Sequence, residues 1–117
     1  MLVTGATGLL GSWLTQWLVD RNAEVVALVR DGVPRANFQR LGLDQRVNVV
    51  QGALEDYHLL ERTINEYEVE VIFHVAAQTL VGIANSNPLS TFTSNIQGTW
   101  TLLEAARRHT GLRALVV

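Results

Sequence analysis

The residues Thr4-Gly5-Ala6-Thr7-Gly8-Leu9-Leu10-Gly11 carry the pattern Thr-Gly-x-x-Gly-x-x-Gly. The chemistry this suits is the holding of a pyrophosphate. Ahead of it stands a short apolar start, Leu2-Val3. Behind it Leu10, Trp13, Leu14, Trp17 and Leu18 recur at helical spacing, so the pattern reads as strand, turn and helix. Gly5 permits the tight turn, Gly8 lets the backbone approach a phosphate, and Gly11 lets the helix pack closely on the strand. Unpaired amides around Leu9 and Leu10, at the positive end of the helix, then bind the phosphates. A dinucleotide is the expected ligand; a glycine-rich structural turn is the alternative.

Other chemistries are excluded by composition. The chain has 117 residues, a net charge of -2 and no cysteine, so it has no disulfide, thiolate metal site or cysteine nucleophile. No excess positive charge attracts nucleic acid or an acidic membrane surface. No apolar run approaches the ~20 residues of a membrane span, and a cytoplasmic location is expected. No histidine or carboxylate falls at metal-ligand spacing, so no metal site is expected. All basic residues are Arg, and there is no Lys to supply an ammonium.

Positioning the glycine loop requires a layered scaffold. Apolar runs at Val25–Val29, Arg46–Val50 and Val69–Val75 read as buried parallel strands, and Leu112–Val117 starts another. Leu9–Asp20, Asp56–Tyr67 and Pro88–His109 read as helices, with Asp56 as an N-cap and Gly111 as a helix stop. Asp31–Gln45 and Gln78–Asn87 are the least regular stretches. The alternation predicts an α/β chain with a Rossmann-type, doubly wound parallel sheet. Residues 1–117 are expected to form an NAD(P)-binding domain, incomplete at the C-terminus because the chain stops inside an apparent strand. Trp13 and Trp17 share a helix face and, with Trp100, are expected in the core or at a helix–helix interface.

TGATGLLGSWL, then HVAAQ, then NSNPLSTFTSNIQGTWTLLEAAR together resemble the extended short-chain dehydrogenase/reductase family. Within it the likeness is to the NAD(P)-dependent epimerase/dehydratase group acting on nucleotide sugars. The GSWL stretch is similar to the 4,6-dehydratases of that group. The resemblance implies cofactor contacts at Gly5, Thr7, Gly8, Leu9, Leu10 and Gly11. It places the small residues Ala76 and Ala77, with Gln78, beside the nicotinamide side. It makes Asn95 the helix asparagine that holds the cofactor region and the adjoining backbone. Ala53 stands where the family has an adenine-bonding Asp, which leaves Leu54 to pack on the adenine.

The family's acidic position at the end of the second strand falls on Val29, followed by Arg30 and Asp31. Arg30 suits a 2′-phosphate, with Arg35 as a second contact if the loop folds back, and NADP is therefore placed ahead of NAD. The alternative makes Arg30 a solvated charge and gives the ribose to Asp31. His74, inside a strand, is expected to be structural.

The resemblance implies a parent enzyme that removes a hydride from sugar C4 and passes through a 4-keto sugar, as dehydratase or epimerase, with Gln78–Asn87 lining the sugar side. A homodimer fits the same picture. The family's Tyr-x-x-x-Lys pair is absent: Tyr57 is followed four places on by Glu61, and Tyr67 by Val71. No catalytic residue is assigned, and the chain alone is expected to be inactive. Two other readings stay open, an NADPH-dependent reductase of a small ketone and a non-catalytic NADP-binding regulator.

Overall fold

The computed structural model describes residues 1–32 and 36–117. Arg35 lies outside the described residues. The strands are β1 (Leu2–Thr4), β2 (Val26–Val29), β3 (Asn48–Gln51), β4 (Val71–His74) and β5 (Ala114–Val116). The helices are α1 (Leu9–Val19), α2 (Asn37–Arg40), α3 (Tyr57–Glu66), α4 (Val81–Ser86), α5 (Pro88–Phe92) and α6 (Gly98–Arg107). A π-helical turn, Thr93–Gln97, joins the last two.

The strands form one parallel sheet in the order β3-β2-β1-β4-β5. The chain winds outward from β1 to β3, then returns to lay β4 on the free side of β1. The direction of winding reverses between β1 and β4, which opens a crevice at the carboxyl ends of those strands.

Alternation along the strands divides the core. Leu2, Val26, Leu28 and Ile72 pack with Leu60 and Ile64 of α3 and Leu102 and Ala105 of α6. Val3, Ala27 and Val29 face the other way, toward Leu18 of α1 and Phe38 of α2. Burying such side chains stabilises by about 1.5–3 kcal/mol each. Asp56 caps α3 by accepting from the Leu59 N–H at 3.0 Å.

Several expectations are corrected. The Arg46–Val50 run is not a buried strand: β3 is an edge strand whose residues are mostly exposed, since only β2 pairs with it. Trp13, Trp17 and Trp100 are more than half exposed and lie outside the core. The helix at 88–107 is interrupted by the π turn and ends at Arg107, before Gly111. The two irregular stretches hold the short helices α2 and α4.

Candidate functional site

Gly5 follows β1 with φ +74°, a left-handed conformation that disfavours other residues. A Cβ there would stand 2.7 Å from the Ala76 backbone, so the β1 turn and the end of β4 touch. Gly11 presses the first turn of α1 onto the Gly5 carbonyl, with which a Cβ would collide. The close packing therefore falls on the turn after β1, not on the strand itself. Gly8 differs. Its φ of -74° is ordinary, and a Cβ would meet only the Gly5 carbonyl, at 3.2 Å. A Cβ here would require that carbonyl to give by a few tenths of an ångström, a smaller demand for glycine than at Gly5 or Gly11.

Gly8 is also the N-cap of α1, and no side chain caps that helix. The first amides of a helix have no partner inside it, so those of Leu9 and Leu10 are open to an anion. Both leucine side chains are exposed.

The cleft above the carboxyl ends of the sheet is lined by Thr4, Gly5, Thr7 and Gly8 from the first turn. Leu28, Arg30 and Asp31 line it from the end of β2, and Gly52, Leu54 and Glu55 from the segment after β3. Val75, Ala76, Ala77 and Gln78 complete it from the end of β4, with Ser94 from the π turn. Val29 is turned away into the core, where it is 7% exposed.

Arg30 Nε donates to the Asp31 carboxylate at 2.7 Å, and Nη1 reaches Ser94 Oγ at 3.4 Å. Both charged side chains remain more than half exposed. The guanidinium thus stands at the cleft mouth between β2 and the π turn.

Asn95 accepts from the Gln78 N–H at 2.7 Å through Oδ1 and donates to the Gln78 carbonyl at 3.1 Å through Nδ2. It holds the wall from behind. Gly98 seats the start of α6 against Leu54, whose Cβ would be 2.8 Å from an added Cβ. This close approach is to the segment after β3. His74 is buried and hydrogen-bonded through both ring nitrogens. Burial pushes its pKa below the ordinary histidine value.

Of the residues predicted from sequence, Gly5, Thr7, Gly8, Arg30, Leu54, Ala76, Ala77 and Gln78 meet in this one cleft. Leu9 and Leu10 adjoin it through the start of α1, while Gly11 and Asn95 support it. Thr4, Leu28, Gly52, Glu55, Val75 and Ser94 line it without having been predicted as contacts. Thr4 and Leu28 had an available signal, their place at the carboxyl ends of strands. Ser94 had none, because its direction depends on the π register. Among the described residues no group of histidines and carboxylates is placed to hold a metal ion. None of their helices is long and apolar enough to cross a membrane.

Residues 2–116 match the family described as GDP-mannose 4,6 dehydratase. CDP-glucose 4,6-dehydratase of Salmonella typhimurium is 35% identical, over 99% of this chain and 33% of that protein. UDP-glucose 4-epimerase of Lacticaseibacillus casei is 32% identical, over 97% of this chain and 33% of that protein. The chain spans about a third of the length of these curated relatives. Among solved structures, the Thermus thermophilus UDP-glucose 4-epimerase complex with NAD superposes with a TM-score of 0.82 at 32% identity. That match covers 97% of this chain and 35% of the other. The Thermotoga maritima UDP-glucose 4-epimerase with UDP-glucose gives a TM-score of 0.84 at 27% identity, with the same coverage.

Proposed function

The chain belongs to the GDP-mannose 4,6 dehydratase family, and from this we propose that it is the cofactor-binding portion of an NAD(P)-dependent nucleotide-sugar 4,6-dehydratase or 4-epimerase. The observation that carries the proposal is the bare Gly8 at the uncapped start of α1, set in the crevice between β1 and β4. Internal packing asks less of Gly8 than of Gly5 or Gly11, whereas a pyrophosphate seated on the amides of Leu9 and Leu10 needs its missing side chain. Gly5 and Gly11 bring the turn, α1 and the Ala76 backbone together beneath that seat. Leu54 offers an apolar surface to an adenine, and Ala76 and Ala77 leave room for the nicotinamide ribose. Asn95 fixes the Gln78 backbone at the same wall. When bound, the nicotinamide ring supplies a hydride acceptor that can return the hydride to the sugar.

Two cofactor forms suit the mouth of the cleft. Arg30, with no acidic side chain at Val29, favours the 2′-phosphate of NADP. Asp31, which lines the same cleft, favours the ribose hydroxyls of NAD, and the Thermus thermophilus relative is a complex with NAD. We place NADP first because Arg30 reaches toward Ser94, across the cleft mouth.

The test is calorimetric titration of the chain and of Gly8→Val with both dinucleotides. Valine puts branched methyls where the pyrophosphate sits, and affinity should fall at least about tenfold, equivalent to ~1.4 kcal/mol. Unchanged affinity in a folded variant would remove the phosphate assignment.

A further inference from the structure

His74 ends β4 directly beside Thr4, its partner across the parallel pair. Its Nδ1 lies 2.7 Å from Thr4 Oγ1, and its Nε2 lies 2.9 Å from Thr99 Oγ1 on α6. The Thr99 hydroxyl donates to the Asn95 carbonyl at 2.6 Å. A hydroxyl has a single proton, so the Thr99 oxygen can only accept from His74. That makes Nε2 the protonated nitrogen. Nδ1 is then bare and accepts the Thr4 hydroxyl. The direction of donation runs unbroken from Thr4 through His74 and Thr99 to Asn95.

Asn95 is also the residue whose side chain grips both main-chain groups of Gln78 in the cleft wall. It sits within the π turn, where the ordinary helical ladder is widened. Two ties hold it, a local one from the Thr99 hydroxyl to its carbonyl and a long-range one from its side-chain amide to Gln78. His74 and Thr99 do not line the cleft. We propose that His74 and Thr99 are positioning residues for dinucleotide binding, setting the cleft wall at Gln78 through Asn95. This rests on the dinucleotide reading above.

The experiment compares Thr99→Val, which keeps shape and deletes the hydroxyl, with Thr99→Ser, which keeps it. Thr101→Val is the control, because the Thr101 hydroxyl on the same helix is buried without a partner. Each is made in the full chain. The readouts are amide exchange at Gln78 by NMR, thermal midpoint, and dissociation constants for NAD and NADP. Thr99→Val should speed Gln78 exchange and weaken the preferred dinucleotide about five- to tenfold. Serine should restore both, and the Thr101 control should change neither.

A lower thermal midpoint with wild-type Gln78 exchange and wild-type affinity would overturn the proposal, leaving these residues a structural role only. If Thr99→Val does not fold, His74→Gln, which keeps a donor toward Thr99, and His74→Leu, which does not, repeat the contrast. A wild-type chain that binds neither dinucleotide removes the site reading and leaves the hold on the Gln78 wall to be judged by exchange alone. That failure is told apart because Gln78 exchange would still respond to Thr99→Val.

Discussion

Arg30 and Asp31 compete for one task, and their pairing at 2.7 Å makes the competition testable. An exposed ion pair contributes only about 0–1 kcal/mol. A 2′-phosphate offers the guanidinium charge-assisted bonds of ~1.5–3 kcal/mol, so it can draw Arg30 from its neighbour at small cost. Arg30→Ser is therefore expected to weaken NADP by about tenfold or more while leaving NAD within about twofold. Asp31→Asn should strengthen NADP; if it instead mainly weakens NAD, titration of both dinucleotides will reassign the ribose to Asp31. His74 gives a second expectation. Its folded pKa lies below the ordinary 6.5 because burial penalises the imidazolium. The unfolded chain then binds the extra proton first, so stability is fully present above that ordinary value. It is lost as pH falls from there toward the lowered folded pKa. Thermal midpoints of wild type and His74→Gln across that window should converge on acidification, and parallel curves would exclude the linkage. At this scale the glycine loop was legible because its residue types answer to steric rules that hold in any fold. The partners of His74 and Asn95 were not, since neither Thr99 nor Gln78 shows in sequence which side chain it meets.

Two helices end in the same way, and one does so with an unsuitable residue. After α3, the Val69 N–H donates to the Ile64 carbonyl at 3.0 Å and the Glu68 N–H to that of Asn65 at 3.2 Å. After α1, the Ala23 N–H reaches Leu18 and the Asn22 N–H reaches Val19, at 3.1 and 2.9 Å. Both are Schellman closures, which need a left-handed residue at the turn. Asn22, at φ 60°, tolerates that conformation, whereas Glu68, at φ 45°, does so at a cost. Glu68→Gly should therefore stabilise by about 0.5–1 kcal/mol after the greater unfolded freedom of glycine is set against it. For a domain of this size that raises the thermal midpoint by about two to five degrees, which calorimetry would detect. A lower midpoint would mean that the Glu68 side chain contributes more than its backbone costs. Helix α3 was readable because Asp56 marks its start and an apolar face follows. The π turn at 93–97 was not readable, because the apolar spacing around it continues as in an ordinary helix. The exposure of β3 was equally hidden: a valine-rich run looks the same in a central strand and at an edge, and only pairing order separates them.

Taken as a whole, the molecule holds its tyrosines away from the cleft. Tyr57 Oη donates to Glu61 at 2.8 Å and accepts from Arg108 at 3.0 Å, a contact that ties α3 to the end of α6. Tyr67 lies at the opposite end of the sheet, beside Met1, Glu24 and Glu70. The chain contains no lysine. Taking a hydride from a sugar carbon requires a base that removes the hydroxyl proton, and a tyrosine doing so needs its pKa of ~10 lowered by a nearby cation. Neither tyrosine reaches the cleft, so these 117 residues are expected to bind dinucleotide without turning over a nucleotide sugar. Leu9, Leu10, Trp13 and Trp17 also leave an apolar face on α1, and Leu89, Phe92, Ile96, Trp100 and Leu103 leave another along 88–107. Exposed surface of this kind drives association, so sedimentation should accompany the assay to show which species is present. Chromatography of the sugar products, with CDP-glucose, GDP-mannose and UDP-glucose supplied in turn, should show no 4-keto or epimerised sugar while calorimetry registers cofactor binding. Turnover that persists in a Tyr57→Phe, Tyr67→Phe double variant would place the base on another residue of this chain. Turnover lost in that variant would show that one tyrosine reaches the cleft by a rearrangement of α3.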